Sequence, residues 1–207
     1  MGAYIEAFIL YIVIFFSGLS GSGTASFSLS FEVFKPLLFF ASSIALIWYL
    51  LYRAKKIEFD IIRPGLKDLV CLLVTLPCLL VIGFIIAFFS SLTGSTQIEL
   101  PLPSSIIEWI ILCIFCLFFA YLEESFFRYY LLSKRNELNL NTVSALIFSA
   151  VLFSIGHIWE GPWGILNALV SGLVLGVIFL RFRSIHGIAI AHGMYNIAAY
   201  VVYSFSF

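Results

Sequence analysis

From Trp109 to Leu122 the chain runs fourteen residues without a charge, and six further stretches are nearly as apolar. A bilayer core about 30 Å thick takes about 20 apolar residues as a helix. Inside it every backbone N–H and C=O must find a partner within its own segment, which leaves helices as the economical solution for runs of this length. Seven spans are predicted: Ala3–Ser17, Phe34–Tyr52, Leu69–Ser91, Ile106–Leu132, Thr142–His157, Gly164–Leu180 and Ile185–Tyr203. The composition agrees, with 62% hydrophobic and only 11% charged residues among 207 and a mean hydropathy of +1.11. Soluble domains carry about a quarter charged residues. The expected fold is an all-α, polytopic transmembrane helix bundle forming one membrane-embedded domain over 1–207, with motifs confined to 105–207.

Basic residues set the orientation. Arg53, Lys55, Lys56, Arg63 and Lys67 lie between spans two and three, Lys134 and Arg135 between four and five, and Arg181 and Arg183 between six and seven. The opposite connections (19–33, 92–105 and 158–163) contain no lysine or arginine. The positive-inside rule then places the N-terminus in the cytoplasm and the C-terminus outside. Glu6 and the lack of a basic start argue for a retained first span rather than a cleaved signal peptide. Compact loops and a single domain suggest a prokaryotic cell membrane. A net charge of zero excludes a basic nucleic-acid binder. The segment 53–68 reads as a cytoplasmic interfacial piece with a short amphipathic helix ended by Pro64-Gly65. Ala25–Phe34 reads as an extended outer loop from its alternating pattern.

Directly after the uncharged run come Glu123, Glu124 and Arg128. Ionisable groups in a bilayer cost about 2.5–3.5 kcal/mol each on insertion scales, so each needs a reason. His157 stands in one other apolar stretch of the second half, and His192 and Asn196 share another. At about 1.5 Å per residue these groups fall between about 12 and 22 Å from the cytoplasmic turns, in one layer of the membrane. Glu124 and Arg128 are i,i+4 and pair on one face. Glu123 points about 100° away and is left without that cation, free for proton transfer. His192 and Asn196 are also i,i+4 and share a side, and Phe153 lies one turn before His157.

The order E-E-x-x-x-R (Glu123, Glu124, Arg128), F-x-x-x-H (Phe153, His157) and H-x-x-x-N (His192, Asn196) resembles the CAAX-protease and bacteriocin-processing family of intramembrane proteases. The resemblance covers about residues 105–205 and implies a glutamate-type peptidase acting on a membrane-associated protein or peptide. It implies that Glu123 and His157 hold and activate a water, and that His192 and Asn196 stabilise the oxyanion. It also implies that Glu124, Arg128 and Phe153 support those residues from behind; no cofactor is expected. The chemistry is coherent on its own terms: amide hydrolysis needs a base for water, donors for the oxyanion and an acid for the amine.

Three other readings stay open at this stage. Glu123, His157 and His192 would also make a two-histidine, one-carboxylate zinc set, although Asn196 suits an oxyanion better than a metal. A proton-coupled transporter could use Glu123 and His157 as a relay, but no inverted repeat is visible. A non-catalytic immunity or scaffold protein could keep the same fold. H-E-x-x-H is absent, GLSG at 18–21 is only superficially like a serine-protease motif, and Asp60 and Asp68 sit in the basic cytoplasmic segment. His186 is expected to be solvated, Glu108 and Glu160 to be exposed outer-edge carboxylates, Trp159 and Trp163 to be interface anchors, and Asn167 to bond between helices. The stripe Gly164, Ala168, Gly172, Gly176 reads as helix packing.

Overall fold

A computed structural model describes residues 2–16, 31–93 and 102–205. Every regular element among them is helical: α1 (Gly2–Tyr11) continuing into a π-helical turn (Ile12–Phe16), α2 (Phe31–Arg53), α3 (Phe59–Ile62), α4 (Leu66–Leu92) and α5 (Ile106–Glu124). A second π-helical segment (Ser125–Tyr130) follows, then α6 (Leu131–Ser133), α7 (Thr142–Ile155), a 3-10 turn (Ile158–Glu160), α8 (Gly161–Phe182) and α9 (Ile185–Ser204). Five stretches are long and apolar enough to cross a bilayer, and two shorter apolar helices, α1 and α7, complete the predicted set. The protein is a polytopic helical bundle. The 18–21 motif and residues 25–30 of the predicted outer loop lie outside the described residues, and Phe31–Phe34 belong to α2.

The helix starts follow local chemistry. Ser105, Asn141 and Ser184 cap α5, α7 and α9, each accepting from the backbone N–H three residues on, which satisfies a donor the helix cannot. At α4 the Gly65 N–H donates to Asp68 Oδ2 at 2.7 Å. Asp68 also accepts from the Ser184 hydroxyl, so the starts of α4 and α9 are held together. The expectation of a loop aspartate is thereby corrected: Asp68 is buried in the first turn of a helix. Asp60 stays exposed, in the short helix α3 that the interfacial reading anticipated.

Helix α9 packs against α5 and α4, and α8 against α7 and α4. Small residues permit this. A β-carbon at Gly193 would meet Leu117 Cδ2 at 2.8 Å, and one at Gly187 would meet the Asp68 carbonyl at 2.7 Å. The bundle is apolar outside as well as inside, with Ile47, Leu79 and Leu122 among its fully buried side chains. Phe84, Phe88 and Ile106 are exposed, facing lipid, whereas Glu123, Glu124 and Arg128 are buried. Because lipid is no worse a solvent than a core for apolar groups, the interior is free to be chosen by polar pairing and close packing.

His186 corrects another expectation. Its Nε2–H donates to the Ile62 carbonyl at 2.9 Å, so Nδ1 accepts from the Tyr121 hydroxyl at 3.0 Å. The ring ties α3 and α5 to the start of α9 rather than standing in solvent. Asn167 does bond between helices, donating to the Tyr195 hydroxyl at 3.0 Å. Trp163 donates to Thr93 Oγ1 at 3.1 Å, and Trp159 is exposed.

Candidate active site

The segment that carries E-E-x-x-x-R is not a regular α-helix. From Ser125 to Tyr130 the ladder widens to i→i+5 bonds, with the Leu131 N–H reaching the Phe126 carbonyl. Single π turns of this kind recur at functional sites, because they re-aim side chains and disturb the regular ladder. Here Ser149 of α7 donates to the Phe127 carbonyl at 2.7 Å. The expected result of Ser149→Ala is an unsatisfied buried carbonyl and a loss of about 1–3 kcal/mol, read as a lowered unfolding midpoint in detergent.

Further supports come from the first helices, which carry no motif. Trp48 of α2 donates its indole N–H to Ser125 Oγ at 3.1 Å. Ser125 is buried. Glu58 N–H donates to the Tyr129 hydroxyl at 2.9 Å. On α1, Glu6 Oε1 accepts from Tyr130 and from Lys134, both at 2.6 Å, and Tyr11 donates to the Leu152 carbonyl at 2.8 Å. The N-terminal half therefore clamps the motif helix from three directions.

Within the site Arg128 Nε lies 3.2 Å from Glu124 Oε2, both side chains fully buried, as the i,i+4 spacing requires. The guanidinium lies 4.5 Å above the Phe153 ring and Nη2 donates to the Gly172 carbonyl at 3.4 Å. Gly172 thus does more than pack helices. A β-carbon there would press on Phe153 Cδ1 at 3.1 Å, so the small-residue stripe also makes room for the ring on which the arginine rests. Phe153 touches both histidines, with ring centroids 4.6 Å from His157 and 5.8 Å from His192.

Glu124 has a second partner that spacing alone did not reveal. Its Oε1 accepts from His192 Nδ1 at 2.8 Å, giving a buried Arg128–Glu124–His192 chain. The other ring nitrogen, Nε2, faces Glu123 Oε2 at 3.7 Å. That carboxylate oxygen is buried and has no hydrogen-bond partner among the described residues. A buried acceptor left unused is rare in native folds and needs a reason. Asn196, half-buried, stands one turn beyond His192 on α9.

His157 lies past the end of α7 rather than inside it. Helix α7 ends at Ile155, and His157 opens the 3-10 turn at φ −103°. Its Nδ1 lies 2.9 Å from the Phe153 carbonyl. A carbonyl only accepts, so Nδ1 carries the proton and Nε2 the lone pair. The nearest carboxylate to Nε2 is Glu160, at 3.9 Å. Glu160 is half exposed, as expected for an outer-edge residue, yet it borders the site; sequence spacing offered H-x-x-E as a signal that went unused. Glu108, by contrast, serves the α5 start, accepting from Ser104. Among the described residues no group of three His, Cys, Asp or Glu side chains is arranged to hold a metal ion.

One protein-family model, described as type II CAAX prenyl endopeptidase Rce1-like, matches residues 104–198. No curated protein and no solved structure matches the chain.

Proposed function

We propose that this integral membrane protein, whose residues 104–198 match a family model described as type II CAAX prenyl endopeptidase Rce1-like, cleaves a membrane-associated protein or peptide with Glu123 and His157 activating a water. The observation that carries the reading is the unpartnered, buried Glu123 Oε2 beside His192 Nε2. In this reading water donates one hydrogen to Glu123 and the other to His157 Nε2. Glu123 takes the first proton as the oxygen adds to the carbonyl carbon. The carbonyl electron pair moves onto oxygen, where His192 Nε2–H and the Asn196 amide meet it. On collapse the C–N pair goes to nitrogen, which takes the Glu123 proton.

The Glu124 and Arg128 pair has a defined part in this scheme. With Glu124 ionised by Arg128, His192 Nδ1 is committed to it as a donor. Donation from Nε2 to the oxyanion then requires that the ring enter the reaction already as an imidazolium, whose charge the Glu124 carboxylate balances. The phenylalanine between the two imidazoles keeps both rings in place. No metal or other cofactor enters the scheme. The basic ends of the spans, including Arg53 and Lys134, face the cytoplasm of a prokaryotic cell membrane in this reading.

The deciding experiment incubates the purified protein in detergent with a quenched peptide carrying a lipidated C-terminus, with and without chelator. Asn196→Ala is expected to lower kcat by about 10²–10³-fold, the loss typical of one oxyanion donor, with KM little changed. Cleavage abolished by chelator and restored by zinc would overturn the metal-free scheme.

A further inference from the structure

We infer that Glu160 is a positioning residue for His157, holding its Nε2 toward the reacting water and stabilising the imidazolium formed there during turnover. The inference rests on the hydrolytic reading above and adds a residue to it. Its basis is geometric. In a 3-10 turn three residues complete one revolution, so side chains at i and i+3 eclipse. The turn Ile158–Glu160 is closed by the Glu160 N–H donating to the His157 carbonyl at 3.0 Å. It therefore stacks the Glu160 carboxylate over the imidazole. Two glycines secure the arrangement. Gly161 adopts φ 74°, which turns the chain into α8 and is the left-handed region that glycine enters freely. A β-carbon at Gly164 would stand 2.9 Å from Glu160 Oε2 and overlap its β-carbon, so glycine at 164 keeps the carboxylate where it is.

The second proton of the attacking water gives this carboxylate its task. Collapse of the tetrahedral intermediate yields a carboxylate and an amine. The hydroxyl proton passes to Nε2 as the C–N bond breaks, and the bond's electron pair goes to nitrogen. The imidazolium so formed has Nδ1–H on the Phe153 carbonyl and Nε2–H beside Glu160 Oε1. It then gives its proton to the departing amine, leaving it as ammonium. Other charges act on the same ring. Arg128 and His192 lie within electrostatic range of His157, and Glu123, Tyr195 and Tyr200 lie within electrostatic range of Glu160. Arg128 is neutralised by Glu124 and Glu123 stands beside His192, so Glu160 is the carboxylate nearest to the new charge on His157.

The test uses the full chain in detergent micelles and two readouts. The chain has three histidines, so nitrogen-15 NMR of the rings follows His157 directly, without turnover. An opposite charge at 4–6 Å moves a titration by about 1–3 pH units. Since Glu160 is half exposed, the lower end applies: in Glu160→Gln the His157 midpoint is expected to fall by about one unit, and kcat about tenfold with KM within about twofold. Glu160→Asp, which keeps the charge, is expected to retain activity within about threefold. An unchanged midpoint in Glu160→Gln overturns the inference. So does a rise in KM with kcat intact, which would make Glu160 a subsite for a cationic substrate group, and so do equal losses in Gln and Asp variants with a lowered unfolding midpoint. If the wild-type protein cleaves nothing, the hydrolytic reading fails, while the ring titration still decides the Glu160–His157 coupling.

Discussion

Glu123→Gln is expected to leave the protein folded in detergent and to lower kcat by about 10²–10⁴-fold, the range for loss of a positioned general base. The change replaces one oxygen by an amide of nearly the same shape. Stability should hold because Glu123 Oε2 makes no hydrogen bond among the described residues. It contributes little to the fold and costs free energy to bury. The variant should therefore unfold at the same or a higher denaturant concentration than the wild type while failing to turn over. That combination separates a reacting group from a packing group, because a structural carboxylate would lose stability with activity. His157→Ala should match the loss of turnover. Full cleavage by Glu123→Gln would remove the glutamate mechanism, and proton flux into liposomes that vanishes with it would favour a transporter instead.

Arg128→Met is expected to destabilise the bundle by about 3–5 kcal/mol, the effect of removing one partner of a buried ion pair. The guanidinium is fully buried and has three contacts to lose: Glu124 Oε2 at 3.2 Å, the Gly172 carbonyl and the Phe153 ring. Without it Glu124 is left as a buried charge whose remaining hydrogen-bond partner is His192. Neutralising that charge as well should repair much of the damage, so Arg128→Met combined with Glu124→Gln is expected to recover about half of the lost stability. Activity should not return, since His192 then lacks the ionised acceptor that balances its imidazolium. Equilibrium unfolding in mixed micelles reads the first effect, and peptide cleavage reads the second. A double variant no more stable than the single one would mean that the arginine acts through packing alone.

These two expectations differ in how far the chain alone foretold them. Glu123 was separable from Glu124 by helical angle and by the single arginine at i,i+4, and the observed ion pair follows that spacing. The spacing could not say that Glu124 has two partners. Its bond to His192 crosses 68 positions, and such a contact depends on how α9 seats against α5 and α4, where Gly193 and Gly187 allow the close approach. The π turn was equally invisible, since the groups that support it, such as Ser149 donating to the Phe127 carbonyl, come from other helices. His186 and Asp68 were misread for the same reason. A polar residue near a charged loop looks solvated until the helix that covers it is in place.

Hydropathy, the basic residues at alternate connections and the order of three motifs together pointed to a helical membrane bundle and to the family model that residues 104–198 match. Those properties depend on composition and short spacing, which lipid reads one segment at a time. The tertiary structure decided what each polar group faces: Glu124 on His192, Glu160 over His157, Glu6 under Tyr130 and Lys134. In a low-dielectric interior an unpaired polar group costs several kcal/mol. The partners that meet it come from whichever helix packs closely enough, and that closeness is a property of the assembled bundle.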